Sequence, residues 1–146
     1  MNKLFLKIAK EVLKREIQDQ EISTLILNKD IWQDILKYLK KIKNSEKKLN
    51  YCENLLFLSK EEKITVAQAL LLWEIGNTLE KQNHFEKSLL YLEKALKIFE
   101  SEECYQEQKE LLNEIAALYQ KQGEFIKALG YFERVKKIDN SKEKVA

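Results

Sequence analysis

The side chains best suited to chemistry are few, and their spacing assembles no catalytic or metal-binding motif. The chain has one histidine, His84, and two cysteines, Cys52 and Cys104, which form no CxxC pair. A structural zinc site usually needs four Cys or His ligands, so no metal is expected. His84 lies in a polar stretch without a nucleophile in the same motif, which favours a turn or cap residue. The sequence also lacks a glycine-rich phosphate loop and a GxSxG elbow, so we expect neither enzyme activity nor a cofactor.

Charge and hydropathy exclude further classes of function. Basic and acidic residues number 26 and 24, and the resulting net charge of +2 gives no nucleic-acid signature. No apolar run approaches the ~20 residues that span a bilayer, so no membrane span is expected. The first residues mix lysines with apolar side chains, which indicates an amphipathic helix rather than a secretion signal. Thiols outside any disulfide framework favour a reducing compartment, so the expected location is the cytoplasm.

A repeat of 40 residues organises most of the chain. Proline is absent and glycine occurs three times, which favours long helices over turn-rich β folds. When the sequence is shifted by 40 residues, corresponding positions carry similar residues across two predicted helices. The matching columns are Ile35/Ile75/Ile115, Leu39/Leu79/Tyr119, Lys41/Lys81/Lys121, Leu49/Leu89/Leu129, Tyr51/Tyr91/Tyr131, Glu53/Glu93/Glu133 and Leu58/Ile98/Ile138. Agreement in seven columns at one offset indicates three copies of a helix–turn–helix unit.

Small and aromatic residues define the packing expected within each copy. Gly76 and Ala116 share a column, and tiny side chains there would let the two helices of a pair approach closely. Gly123 suits a left-handed position at a helix end. Tyr91 and Tyr131 are expected to be largely buried. Loss of the Phe85 or the Phe125 ring is expected to cost about 3–5 kcal/mol if both rings lie in the core. The first copy is the most degraded, because Ser45 replaces this phenylalanine.

These features resemble the tetratricopeptide repeat over roughly residues 30–139. The resemblance rests on Gly76, Leu79, Phe85, Leu92 and Ala95 in the second copy, and on Ala116, Tyr119, Gly123, Phe125, Ala128 and Phe132 in the third. The longer period, against about 34 residues in the family, is similar to that of Rap-type peptide sensors and kinesin light chains. The resemblance implies an all-α fold, an α-solenoid of about three antiparallel helix pairs with an N-terminal capping helix. Lys48 and Ser88 depart from the family's usual small residue, and its usual proline is missing.

The predicted boundaries are 1–28 for a helical cap, 29–139 for the repeats (about 29–68, 69–108 and 109–139) and 140–146 for a tail. Residues 1–28 contain an amphipathic helix and a short apolar segment, and Asn28 or Asp30 can cap the helix that follows. Stacked repeats leave an apolar face open at each end, which a capping element normally covers. A segment that docks in the groove, or a dimer contact, is the alternative role for residues 1–28.

The first helices of stacked pairs line a concave face, and their free side chains are the candidate binding site. By helical position and by resemblance, these candidates are Gln33, Lys37, Lys40, Trp73, Asn77, Glu80, Asn113, Ala117 and Gln120. An Asn amide can both donate to and accept from an extended backbone. Trp73 offers a large rigid surface of the kind that dominates interface energies. Two alternatives stay open: Trp73 packs against the N-terminal helix, and Asn77 and Asn113 are ordinary exposed residues.

The predicted function is a non-catalytic adaptor or assembly scaffold that binds a protein or an extended peptide segment. The carboxylate clamp of chaperone-binding relatives is not reproduced, because Glu110 and Glu114 stand where basic or amide groups belong. Lys37 and Lys40 favour an acidic stretch in the partner. The alternatives are the sensor portion of a peptide-responsive regulator and a self-assembling structural component, which would form a homo-oligomer through its end faces.

Overall fold

Helices form wherever apolar residues recur at helical spacing, and the turns between them are short. A computed structural model of the chain describes residues 2–145, with side chains up to Ser141. The helices are α1 (Lys3–Leu13), α2 (Ile22–Ile26), α3 (Lys29–Lys40), α4 (Ser45–Glu61), α5 (Thr65–Lys81), α6 (Phe85–Ser101), α7 (Tyr105–Lys121) and α8 (Phe125–Val145). One 3-10 turn, Asp19–Glu21, precedes α2, and the described residues contain no strand. The all-α prediction is confirmed.

The helices pack as three successive pairs, α3 with α4, α5 with α6, and α7 with α8. Each pair also contacts the next, because α4 packs on α5 and α6 packs on α7. Helix α1 lies against α3 and α4, where Phe5 meets Trp32 with ring centroids 5.3 Å apart. The Trp32 indole donates to the Ile26 carbonyl at 2.7 Å, which attaches α2 to α3. Asn28 accepts from the Asp30 N–H at 2.8 Å, which confirms Asn28 as the cap of α3.

A unit of 20 residues underlies the 40-residue repeat. Helices α4 to α7 each have 17 residues, and α4 to α8 begin 20 residues apart. A left-handed residue follows each of the four helices α4 to α7, namely Lys63, Asn83, Glu103 and Gly123. The next residue donates its N–H to a carbonyl five positions earlier, at 2.9 Å in all four turns. These bonds satisfy helix-end carbonyls, and Gly123 occupies the left-handed position predicted for it.

The α5–α6 pair shows why a glycine is needed between helices. A Cβ added at Gly76 would lie 2.6 Å from Leu92 Cδ2, and Leu92 is fully buried. The Ser88 hydroxyl donates to the Gly76 carbonyl at 2.7 Å. The close approach predicted at Gly76 is therefore confirmed. Ser88 stabilises this approach with a hydrogen bond between the two helices.

Burial at the repeated aromatic positions depends on the neighbouring helices, and the core position predicted for Phe125 is wrong. Tyr91 and Tyr131 pack against the core with most of their surface buried, as predicted. Phe85 is half-buried and packs edge-on against Tyr119 of α7, with centroids 6.1 Å apart. Phe125 is 66% exposed, because no helix of the described chain covers it as α7 covers Phe85. A core phenylalanine is therefore absent at that position.

The segment predicted to be a tail is helical as far as the structure describes it. Helix α8 continues through residues 140–145 and ends at Val145, whereas Ala146 lies outside the described residues. No glycine or proline interrupts this stretch, which is rich in lysine and glutamate, so nothing in the sequence breaks the helix.

Candidate functional site

The first helices of the three pairs surround two adjoining clefts. The lysine cleft, of about 430 Å³, is lined by Lys40, Glu74, Asn77, Glu80, Lys81, Glu114, Ala117, Leu118 and Lys121. The tryptophan cleft, of about 310 Å³, is lined by Gln33, Leu36, Lys40, Leu70, Trp73, Glu74, Asn77, Glu107, Glu110 and Glu114. Four residues line both clefts, so the two form one continuous groove along α3, α5 and α7. No residue of α1 lines either cleft.

Six of the nine candidate residues line this groove. They are Gln33, Lys40, Trp73, Asn77, Glu80 and Ala117. Lys37, Asn113 and Gln120 are exposed but line neither cleft. In α7 the groove is lined by residues at positions 107, 110, 114, 117 and 121, among others. The sequence predicted positions 113, 117 and 120. A shift of one residue rotates a side chain by about 100° around the helix axis, which moves Asn113 and Gln120 out of the groove.

Trp73 is held by contacts with α6 and α7. Its ring meets Phe99 edge-on, with centroids 5.6 Å apart and planes at 75°. Its Nε1–H donates to Glu114 Oε2 at 2.6 Å. The alternative that Trp73 packs against the N-terminal helix is therefore wrong, because Trp32 occupies that position against Phe5. Part of the Trp73 side chain stays accessible from the tryptophan cleft.

A buried ion pair forms the floor of the groove. Lys48 Nζ lies 3.4 Å from Glu74 Oε1, and both side chains are only 6% exposed. Lys48 stands where the family has a small residue, and it reaches Glu74 from α4. Removing either partner would leave an uncompensated charge in a dry site, which is strongly destabilising. Cys52 lies nearby, and burial raises the pKa of its thiol to about 12, with a further contribution from Glu74.

Carboxylates dominate the α7 wall of the groove. Glu107, Glu110 and Glu114 lie on one face of α7 and line the tryptophan cleft. Loss of solvation raises the pKa of Glu114 despite its hydrogen bond from Trp73, and the neighbouring Glu80 and Glu110 raise it further. Lys40 acts in the opposite direction on the pKa of Glu114. The α7 wall therefore brings several negative charges close together, with few cations nearby.

The described side chains offer no metal-binding assembly. Among residues 2–141, no group of three His, Cys, Asp or Glu side chains is placed to hold a metal ion. His84 is exposed and occupies the N-cap position of α6, in the turn where the sequence indicated it. None of the described helices is long and apolar enough to cross a membrane.

The sequence interpretation missed Glu74 and Lys48, and a signal for both was present. Glu74 interrupts an apolar run between Trp73 and Ile75, and Lys48 occupies a column reserved for small residues. Each is an unexpected charge in a packing position, and the two charges are opposite. Lys48 and Glu74 are 26 positions apart in the sequence, so their pairing is apparent only from the packing of α4 on α5.

A stack of helix pairs that lines a groove defines a class, the helical-repeat proteins. The model of the soluble NSF attachment protein (SNAP) family matches residues 30–145, and the chain belongs to that family. The family consists of helical, non-catalytic adaptors that bind partner proteins. No curated protein and no solved structure matches the chain. The match supports a tetratricopeptide-like helical repeat, and it adds no support for the Rap-type or kinesin-light-chain variant.

Proposed function

We propose that this chain is a non-catalytic adaptor that holds an extended segment of a partner protein in the groove along α3, α5 and α7. The observation that carries the proposal is the continuity of the two clefts, which share Lys40, Glu74, Asn77 and Glu114. Membership of a family of protein-binding adaptors supports it. The free thiols of Cys52 and Cys104 suit a cytoplasmic setting for this role.

Three side chains have distinct roles in this proposal. Asn77 lies where the clefts join, and its amide can both donate to and accept from the backbone of a bound segment. Trp73 presents a flat apolar surface beside it, which is fixed by Phe99 and Glu114. Ala117 is exposed on the opposite wall, where its small side chain leaves room for the segment. The groove thus combines backbone recognition with one aromatic anchor.

The test uses the partner protein that co-purifies with the tagged chain. Trp73→Ala should weaken its binding about 30-fold, because an aromatic anchor is worth about 2 kcal/mol or more at an interface. Asn77→Ala should weaken it about 5-fold through a lost hydrogen bond of about 1 kcal/mol. Titration calorimetry with the purified partner gives both values.

Two controls separate binding from folding. Asn113→Ala removes the same side chain from the same kind of helix, but outside both clefts, and should change affinity less than about 2-fold. Ala117→Arg fills the groove from an exposed position, so it should abolish binding while thermal unfolding stays unchanged. If Ala117→Arg and Trp73→Ala both bind the partner as the unmodified chain does, the groove is not the site.

A second candidate function, self-assembly, is favoured by an apolar patch on α8. Phe125, Ile126 and Leu129 are 66%, 88% and 57% exposed. We propose a second copy of this chain as the occupant, because α8 of one copy can meet α8 of another in a symmetric contact that covers both apolar patches. Light scattering after size exclusion should show a dimer that Ile126→Lys abolishes. A monomer at high concentration would rule the candidate out. No observation favours the regulator-sensor alternative.

A further inference from the structure

We propose that the segment held in the groove is basic, with a Lys or Arg side chain that lies along Trp73 and meets the carboxylates of Glu107, Glu110 and Glu114. This inference rests on the proposed function and names the chemistry of its partner. The tryptophan cleft receives four carboxylates and one cation, Lys40, from the chain itself. An incoming cation therefore enters a field of the opposite sign.

The three carboxylates of α7 form no ion pair with the described side chains of the chain. Neither Glu107, Glu110 nor Glu114 lies within ion-pair distance of a Lys or Arg among residues 2–141, where side chains are described. Glu110 accepts from the neutral Gln106 amide at 3.1 Å, and Glu114 accepts from the neutral Trp73 indole at 2.6 Å. The carboxylates of Glu110 and Glu114 are thus oriented by neutral donors, and Lys40 offsets the charge of Glu114 only in part.

The buried carboxylate of Glu74 is a second, separate observation. This side chain is more than nine-tenths buried, yet it lines both clefts. Its one ion-pair partner, Lys48, comes from below the groove at 3.4 Å. A cation in the tryptophan cleft would meet the carboxylate of Glu74 beside those of Glu110 and Glu114.

The two ends of the groove differ in charge, which orients the segment. The lysine cleft contains Lys81 and Lys121, and Lys121 pairs with Glu80 at 3.1 Å. Charges of both signs alternate there, whereas the α7 wall of the tryptophan cleft is acidic only. The basic part of the segment therefore lies beside Trp73, where the aliphatic stem of Lys or Arg can cover the indole and its charge can reach the carboxylates.

This inference replaces the expectation of an acidic partner stretch. That expectation rested on Lys37 and Lys40. Lys37 lines neither cleft, and Lys40 faces the carboxylate of Glu114, whose pKa it lowers. Lys40, which was expected to attract an acidic segment, therefore already interacts with the acidic wall of the groove.

The test is a selection of random peptides of about 12 residues on the purified chain, followed by fluorescence anisotropy of the best binders. We expect enrichment of Lys and Arg. Glu110→Gln combined with Glu114→Gln should weaken these peptides about 5-fold at about 50 mM salt, and less than about 2-fold at about 0.5 M salt. Lys40→Gln should strengthen them about 2-fold, because it removes the competing cation.

The matched control is Glu86→Gln combined with Glu133→Gln. It removes the same charge from exposed positions that line neither cleft, and should leave affinity within about 2-fold. If the selected peptides are blocked by Ala117→Arg but are neutral or acidic, the basic-segment inference fails and the groove function stands. If no selected peptide is sensitive to Ala117→Arg, both the inference and the groove function fail.

Discussion

Helices α6 and α8 hold the same place in successive pairs, yet their outer faces differ. At the start of α6, Phe85 is half-buried because Tyr119 of α7 packs against its ring. At the start of α8, Phe125 is 66% exposed and Leu129 is 57% exposed. A phenylalanine at the same position of the repeat is thus half-buried in one helix pair and exposed in the next. Position in the repeat fixes packing within a pair, whereas burial of the outer face depends on the helix that follows.

The far halves of the two helices differ in residue type as well. Leu96 and Phe99 of α6 are 2% and 0% exposed. Forty residues later stand Lys136, which is exposed, and Asp139, which pairs with Lys109 at 2.8 Å. The far half of α8 therefore carries charged side chains at positions where α6 carries buried apolar ones.

The largest effect is expected at the buried end of α6. Phe99→Ala should lower the free energy of unfolding by about 3–5 kcal/mol, because the ring is fully buried and packs against Trp73. Asp139→Ala, its counterpart in α8, should cost less than about 1 kcal/mol through one partly exposed ion pair. Urea denaturation followed by circular dichroism measures both. Equal losses would mean that α8 is as deeply packed as α6.

An intermediate difference is expected for the two phenylalanines that begin these helices. Phe85→Ala should cost about 2 kcal/mol, since roughly half of its surface is removed from water against Tyr119. Phe125→Ala should cost less than about 1 kcal/mol in the monomer, since the ring is mostly exposed. The same denaturation assay at low protein concentration compares them. A larger loss at Phe125 would indicate that another element or a second copy covers α8.

The smallest effect, but one with opposite signs, is expected at two helical glycines. Gly76→Ala should destabilise by about 1 kcal/mol, because its Cβ would lie 2.6 Å from buried Leu92 and this strain exceeds the gain in helix propensity. Gly130→Ala should stabilise by about 1 kcal/mol, because nothing lies within 4 Å of the added Cβ. Thermal denaturation distinguishes the two. Stabilisation by both would mean that α5 and α6 are farther apart than described.

The repeat was predictable from sequence, but its environment was not. The 40-residue columns are sufficient to place α3 to α8, because apolar spacing and turn residues are local properties. The 20-residue unit escaped detection, since alternate helices bury different sets of side chains and share only their turns. Lys63 and Glu103 adopt left-handed backbone conformations that their residue types do not predict. These turns are recognised only from the hydrogen bonds that follow them.

The candidate site was predictable in part, for a geometric reason. Trp73 and Asn77 of α5 line the groove, as their helical positions predicted, whereas their role in binding stays a prediction. In α7 the choice of Asn113 and Gln120 followed helical position within the repeat, 40 residues after Trp73 and Glu80, but the face of α7 that lines the groove contains Glu107 and Glu114. The ion pair between Lys48 and Glu74 could not be predicted, because periodicity in the sequence does not give the distance between α4 and α5.

The hydrogen bond between Trp73 and Glu114 and the ion pair between Glu80 and Lys121 each connect residues 41 positions apart. Both join α5 directly to α7, whose main packing is otherwise with α6 and α8. These two contacts fix the width of the groove between α5 and α7. A carboxylate has further acceptor positions, so a cation can bind Glu114 or Glu80 while both contacts stay in place, and the groove needs no rearrangement to receive it.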